Sequence, residues 1–324
     1  MQLEGFLGFP QCTQEMVGGA DLLERAAGWP MRFYFPTSDN SESAYEALSH
    51  IYARIMGLPR VPITFDFSRC MQLRPIGLVL LAGLCRQLRL RGIQPHIDIA
   101  TMSSEVYRRF VDSGCRNHLF IGVPSTPRTL FRHDEMEDED AIIAFLRDQW
   151  LGESRLEMST LLRDAFITHL WEIYANAFEH GDSALGVFTC GEQIDDHTLL
   201  LTVADFGPGI PHNAAQKLRK TWIPGDQALE WAFTRGTTTA SHERYPRGLG
   251  LDLLREFVGV NGGRLDVYSH HGHGRVEGGP PEFRSLLLSM GATVVQISLN
   301  CDNRTYRFQQ ELEQALPPPG TPLF

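Results

Sequence analysis

The chain reads as an α/β protein in two units, and three observations predict it. Over residues 30–122, short apolar strands alternate with segments of helical period, the pattern of a small layered domain. Over residues 153–300, a long amphipathic helix is followed by apolar strands that end in glycine-rich turns, the pattern of a sheet covered by helices. At 324 residues, 43% of them hydrophobic, each half can bury a core of its own.

In chain order, residues 32–35 alternate as a short strand and 43–56 have helical spacing. Residues 61–67 read as a second strand and 75–91 as an apolar helix with Pro75 in its first turn, where its missing N–H costs nothing. Residues 95–99 form a third strand and 103–113 a last helix. The acidic run HDEMEDEDA over 133–141 reads as a linker or an exposed helix start.

The second unit carries the chemistry. Within WEIYANAFEHG, Glu172, Asn176 and His180 recur every four residues and so fall nearly above one another on a helix, with His169 extending the stripe. Phe166, Leu170, Ile173, Ala177 and Phe178 supply an apolar stripe beside it. The amide oxygen of Asn176 suits a hard cation such as Mg²⁺ shared with phosphates. Glu172, one turn earlier, can orient or deprotonate a water near that cation. Taken alone, the helix is equally a solvated polar face. LLLTVADFGPGIP then reads as a strand over 199–204 ending at Asp205 and a turn, where Gly207 and Gly209 permit positive φ and the approach of a ring. A carboxylate there can accept a hydrogen bond from an exocyclic amine such as adenine's; an ordinary turn is the alternative. Arg247, Gly248, Leu249, Gly250 and Leu251 precede an apolar helix over 252–260, whose first backbone N–H groups can close on phosphate oxygens. This is not the dinucleotide fingerprint, since no third Gly follows at the right offset.

In this order the motifs resemble the GHKL ATPase superfamily of gyrase, the heat-shock chaperone ATPases, histidine kinases and MutL. The nearest likeness is to anti-sigma-factor serine kinases and bacterial two-component kinases. The N box E-x3-N-A-x2-H-G corresponds to Glu172, Asn176, Ala177, His180 and Gly181; the G1 box D-x-G-x-G-I to Asp205, Gly207, Gly209 and Ile210; the G2 box G-x-G-L to Gly248, Gly250 and Leu251. Gly291-Ala292-Thr293 before VVQISL resembles the start of the family's last strand. The resemblance implies an α/β sandwich, a mixed sheet covered by helices, over residues 151–301, with ATP and Mg²⁺ as cofactors. It implies that Asn176 coordinates Mg²⁺, that Asp205 binds the adenine amine and Thr293 assists near the base, and that Gly248, Leu249 and Gly250 present N–H groups to the phosphates. Residues 211–247 would be the lid, with Arg235, Arg244 and Arg247 either on the γ-phosphate or solvated. Glu172 occupies the catalytic position in the ATPases of the family and can serve the transfer step in its kinases.

The first unit resembles the STAS domains of anti-sigma-factor antagonists. DFSRCMQLRPIGLVLLAGLCRQLRLRGI matches their signature stretch at Asp66, Ser68, Gly77 and Leu78, and VYRRFVDSGCRNHLF resembles their closing helix. Another small α/β module with an amphipathic helix is the alternative. This sets a STAS-like domain at 1–125, an acidic linker at 126–150 and a Pro-rich tail at 302–324. Arg74 and Pro75 stand where the antagonists carry their phosphorylated Ser, so the resemblance implies docking, to a partner or to the chain's own ATPase domain, without a phospho-switch.

The net charge of −10, with 29 Lys and Arg against 39 acidic residues, argues against nonspecific nucleic-acid binding. Local basic clusters at Arg86, Arg89 and Arg91, and at Arg108, Arg109 and Arg116, read as solvated faces or sites for an acidic partner. Six scattered cysteines without zinc spacing, no signal peptide and no long apolar stretch predict reduced thiols, a cytoplasmic location and no membrane segment. His270, His271 and His273 read as a turn after the penultimate strand or a metal cluster. His133 lacks the helical hairpin of a phospho-acceptor, which argues against an autophosphorylating histidine kinase. The expected function is Mg·ATP-dependent regulation of a protein partner, by serine/threonine phosphorylation or by ATP-gated binding. The alternatives are a nucleotide sensor without turnover and an ATPase that forms a homodimer through its lid.

Overall fold

The computed structural model describes residues 30–120, 130–181, 184–234 and 250–311. The first unit holds β1 (Met31–Tyr34), α1 (Glu42–Met56), β2 (Ile63–Asp66), α2 (Pro75–Leu90), β3 (His96–Asp98), α3 (Ser104–Asp112) and α4 (Cys115–Leu119). Its strands pair in parallel in the order β1-β2-β3. Ser41 and Ser103 cap α1 and α3 by accepting from Ala44 N and Val106 N, and Pro75 opens α2.

The second unit holds β4 (Phe131–Asp134), α5 (Glu139–Ala144) with a π-helical turn over Phe145–Trp150, β5 (Glu157–Met158), α6 (Thr160–Gly181), β6 (Val187–Gln193) and β7 (Thr198–Asp205). It continues through α7 (Gly209–Lys217), α8 (Gly225–Ala232), α9 (Gly250–Asn261), β8 (Arg264–Val276), β9 (Glu282–Asn300) and β10 (Thr305–Tyr306). Its main sheet runs β4-β6-β7-β9-β8. All four of its pairings are antiparallel, whereas a mixed sheet was expected; parallel pairs lie in the first unit and in the small β5–β10 sheet.

Both faces of the five-stranded sheet are covered, because side chains alternate across it. One face carries Leu199, Leu201, Val203, Val267, Val295 and Ile297, and packs against α6, α9 and the α5 segment. The other carries Phe188, Ala204, Tyr268, Ala292 and Val294, and packs against α1 and α2 of the first unit in one continuous core. Tyr45 of α1 stacks on Tyr268 with ring centroids 4.0 Å apart. Gly83 of α2 lies against Phe206; a Cβ there would fall 1.9 Å from the Phe206 ring. Ion pairs frame the seam: Glu192 takes Arg74 at 2.8 Å and also Arg109, and Glu42 takes Arg284. At its polar end the buried Asp266 accepts from His273 and Arg275, each at 2.8 Å.

Several expectations change. The two units are not separate bodies, because the first supplies the cover for the open face of the second's sheet. Residues 126–150 are not a free linker where described: β4 is an edge strand of the main sheet, and Phe145, Leu146 and Trp150 are core residues. The tail does not begin at 302, since β10 pairs with β5 and Tyr306 is buried. Gly291 lies within β9 rather than before its start. His270, His271 and His273 lie in β8, not in a turn, and their side chains diverge: His273 binds Asp266 while His270 binds the Gly207 carbonyl. Of the expected lid, 211–234 includes α7 and α8, while 235–249 lies outside the described residues. Arg86, Arg89 and Arg91 bind Glu135, the Leu119 carbonyl and the Leu58 carbonyl, so the cluster serves the fold's own contacts. The five described cysteines are free and buried, and no helix among the described residues is long and apolar enough to cross a membrane.

Candidate functional site

Three adjacent strands build the floor of a pocket. The registers align Val203, Val295 and Val267 in one row and Asp205, Thr293 and Ser269 in the next. The first row is apolar; the second is polar. All but Ser269 line a cavity of about 170 Å³. α6 forms one wall. It buries Phe166, Leu170 and Tyr174 on the sheet, and the Thr189 hydroxyl donates to Tyr174 Oη at 3.0 Å. This leaves the opposite stripe of His169, Glu172 and Asn176 facing the cavity. Asn176 is exposed at the mouth, and Glu172 is half-buried with Oε1 3.5 Å from His169 Nδ1.

The G1-like turn closes one end. Gly207 sits on the C-terminus of α6 so tightly that a Cβ would fall 1.6 Å from the Gly181 carbonyl oxygen. The end of the N box and the G1 turn therefore touch, although 26 positions separate them in sequence (207 − 181). Gly209 has φ +76° and starts α7, which brings Ile210 and Asn213 to the cavity. Trp231, Ala232 and Phe233, at the end of α8, form the remaining wall.

Asp205 is the electrostatic centre. It is 6% exposed, and burial pushes its carboxyl from an ordinary 3.8 up to about 7, against the opposing pull of the Gly207 N–H, which donates to Oδ1 at 3.1 Å. A buried carboxylate at the end of a valine floor is matched by a flat apolar ring bearing an N–H donor.

Of the residues singled out from sequence, Glu172, Asn176, Asp205, Gly209, Ile210 and Thr293 line this one cavity, and Gly207 shapes it from behind. Gly250 is the first residue of α9, and Leu251 follows in the same helix. Arg247, Gly248 and Leu249 lie outside the described residues, as do the side chains of His180 and Leu251. Sequence reasoning missed the valine floor, Asn213 and the Trp231–Phe233 wall. Val203 and Val295 lie in LLLTVAD and VVQISL, and Val267 in RLDVYS, and they form one row only once the strands are aligned. Trp231 and Phe233 carry no motif, and only the return of α8 over the sheet brings them in.

The residues present fit an adenine nucleotide with Mg²⁺. Asp205 and Thr293 would take the base. Among the described residues no three acidic, His or Cys side chains converge, so a cation would be held by Asn176 together with phosphate oxygens, as Mg²⁺ commonly is.

Residues 163–280 match the family model described as histidine kinase-, DNA gyrase B- and HSP90-like ATPase. Among solved structures, the chain is similar to a mycobacterial sensor histidine kinase, MprB, at 20% identity and a TM-score of 0.28, covering 50% of this chain and 92% of that one. Comparison with curated proteins gave no match. The stretch from 163 to 280, which contains the α6 wall, Asp205 and the G1-like turn, is a histidine kinase-, DNA gyrase B- and HSP90-like ATPase domain.

Proposed function

We propose that the chain binds Mg·ATP in this pocket and uses it to regulate a protein partner, as a kinase-like ATPase carrying a STAS-like docking module. The observation that carries the reading is the convergence on one cavity of a buried carboxylate, Asp205, with Thr293 beside it and the Glu172–Asn176 stripe opposite. Asp205 selects the base, Asn176 holds the cation against the phosphates, and Glu172 orients a water or the acceptor hydroxyl. Phosphoryl transfer needs positioning and charge neutralisation more than covalent help, and these groups supply both. The STAS-like module, packed on the reverse of the sheet that carries Asp205, is the route by which a docked partner senses the nucleotide.

Calorimetric titration with Mg·ATP tests the binding step. Asn176→Ala should weaken affinity at least about tenfold, the equivalent of 1.4 kcal/mol, and remove its dependence on Mg²⁺. Unchanged Mg²⁺-dependent binding would refute the cation assignment. Turnover separates the outputs. Phosphate release lost in Glu172→Ala identifies an ATPase, label moving to a co-purified protein identifies a kinase, and binding without either identifies a sensor.

A further inference from the structure

The strand β8 breaks its register beside the pocket. The pairing with β9 slips between Ser269 and His270 and again between His270 and Gly272, and His270 takes φ +53°, a left-handed conformation that side-chain-bearing residues rarely adopt. Such a bulge re-aims side chains that regular alternation would place elsewhere. Here it aims two of them at the G1-like turn. The imidazole Nε2 of His270 lies 3.1 Å from the Gly207 carbonyl; a carbonyl only accepts, so Nε2 carries the proton. The other ring nitrogen, Nδ1, faces the Ser289 hydroxyl at 3.3 Å, which can donate to it and hold that tautomer. Ser269, fully buried, accepts from Ile210 N at 2.9 Å and shares a hydrogen bond with the Thr293 hydroxyl at 3.0 Å.

The contact is as close as packing allows. A Cβ on Gly209 would fall 2.3 Å from His270 Cδ2 and 2.8 Å from Ser269 Oγ. The same bulge abuts the start of α8, where a Cβ on Gly225 would fall 2.5 Å from the Gly272 nitrogen. One irregular segment therefore touches the root of the turn that follows Asp205, the hydroxyl of Thr293 and the helix that carries Trp231.

We propose that Ser269 and His270 are positioning residues for the nucleotide pocket: by gripping the Gly207 carbonyl and the Ile210 amide they fix the turn, and with it the carboxylate and hydroxyl that distinguish adenine from other bases. The inference rests on the pocket being a nucleotide site, and it adds base discrimination by a segment outside the recognised motifs.

The test measures Kd for Mg·ATP and Mg·GTP and the ligand-free melting temperature, in the full chain, for wild type, His270→Gly, His270→Gln and Ser269→Ala. Glycine adopts the left-handed conformation without strain and deletes the grip on the Gly207 carbonyl together with the Ser289 contact. His270→Gly should keep or raise the ligand-free Tm, weaken ATP about tenfold or more and narrow the ATP-to-GTP ratio. Glutamine places an amide N–H near the reach of Nε2, so His270→Gln should recover most of the affinity and the ratio. Ser269→Ala should resemble His270→Gly in the ratio. Equal ATP affinity in wild type and His270→Gly, or a Gln variant as weak as the Gly variant at unchanged Tm, overturns the inference while leaving the pocket reading intact. Wild-type protein that binds neither nucleotide overturns both.

Discussion

Asp205 shows how one buried group sets both stability and binding. Because burial raises its carboxyl to about 7, the folded protein keeps this proton between about pH 4 and 7 while the unfolded chain has lost it. Its contribution is therefore most favourable in acid and is lost as pH rises through 7. Asp205→Asn retains an acceptor for the Gly207 N–H and removes the charge. The variant should melt higher than wild type at pH 8, by a free energy of the order of a few kcal/mol, with the gain shrinking toward pH 4. It should also lose adenine binding. In the wild type an amine donated to Asp205 favours the ionised form, so Mg·ATP affinity should strengthen from pH 5.5 to about 7 and then level off, with proton release visible as a buffer-dependent heat. A higher wild-type Tm than Asp205→Asn at pH 8 would contradict this account. Asp205 was legible in the sequence because a strand-ending carboxylate before a glycine turn is a local pattern; its raised proton affinity was not, because burial is supplied by Gly181, α6 and the neighbouring strands.

At the scale of elements, α2 and the strand-to-turn junction after β7 are fitted to one another. Gly83 on α2 exists at a spot where Phe206 occupies the space of any side chain, and Phe206 adjoins Asp205. Gly83→Ala should force Phe206 to move, costing about 1–3 kcal/mol in stability and weakening nucleotide binding in parallel. Phe206→Leu added to Gly83→Ala should return part of both losses in a double-mutant cycle; additive losses would show that the two residues do not couple. The helices themselves were readable from their period: α1, α2 and α3 begin at 42, 75 and 104, against 43, 75 and 103 from the spacing. The bulge at Ser269–His270 was not, since the HHGHG run carries a turn signal that β9 overrides by continuing the ladder past it.

At the scale of the molecule, the first unit and the second unit's five-stranded sheet share one core. Phe33, Tyr45, Leu81 and Phe110 from the first unit and Phe188, Phe206, Tyr268 and Val294 from the second form a single buried cluster. The full chain should therefore unfold in one calorimetric transition whose van't Hoff and calorimetric enthalpies agree. A chain cut to residues 130–311 should expose the sheet face beneath α1 and α2, bind an apolar dye and lose its cooperative melt. Two resolved transitions in the full chain, or a well-behaved 130–311 fragment, would show the units to be independent.

The sequence by itself determined the first unit's alternation of strands and helices, the α6 stripe, and the placing of Glu172, Asn176, Asp205 and Thr293 in motif order, because these depend on spacing along a helix, strand ends and glycine turns, all local. Only the tertiary structure decided that the N-terminal module is the second cover of the five-stranded sheet, that β4 belongs to that sheet, and that a histidine in a strand bulge holds the turn after Asp205. Those depend on strand register and on which apolar faces meet, and residues far apart in the chain satisfy them only once the sheet is assembled.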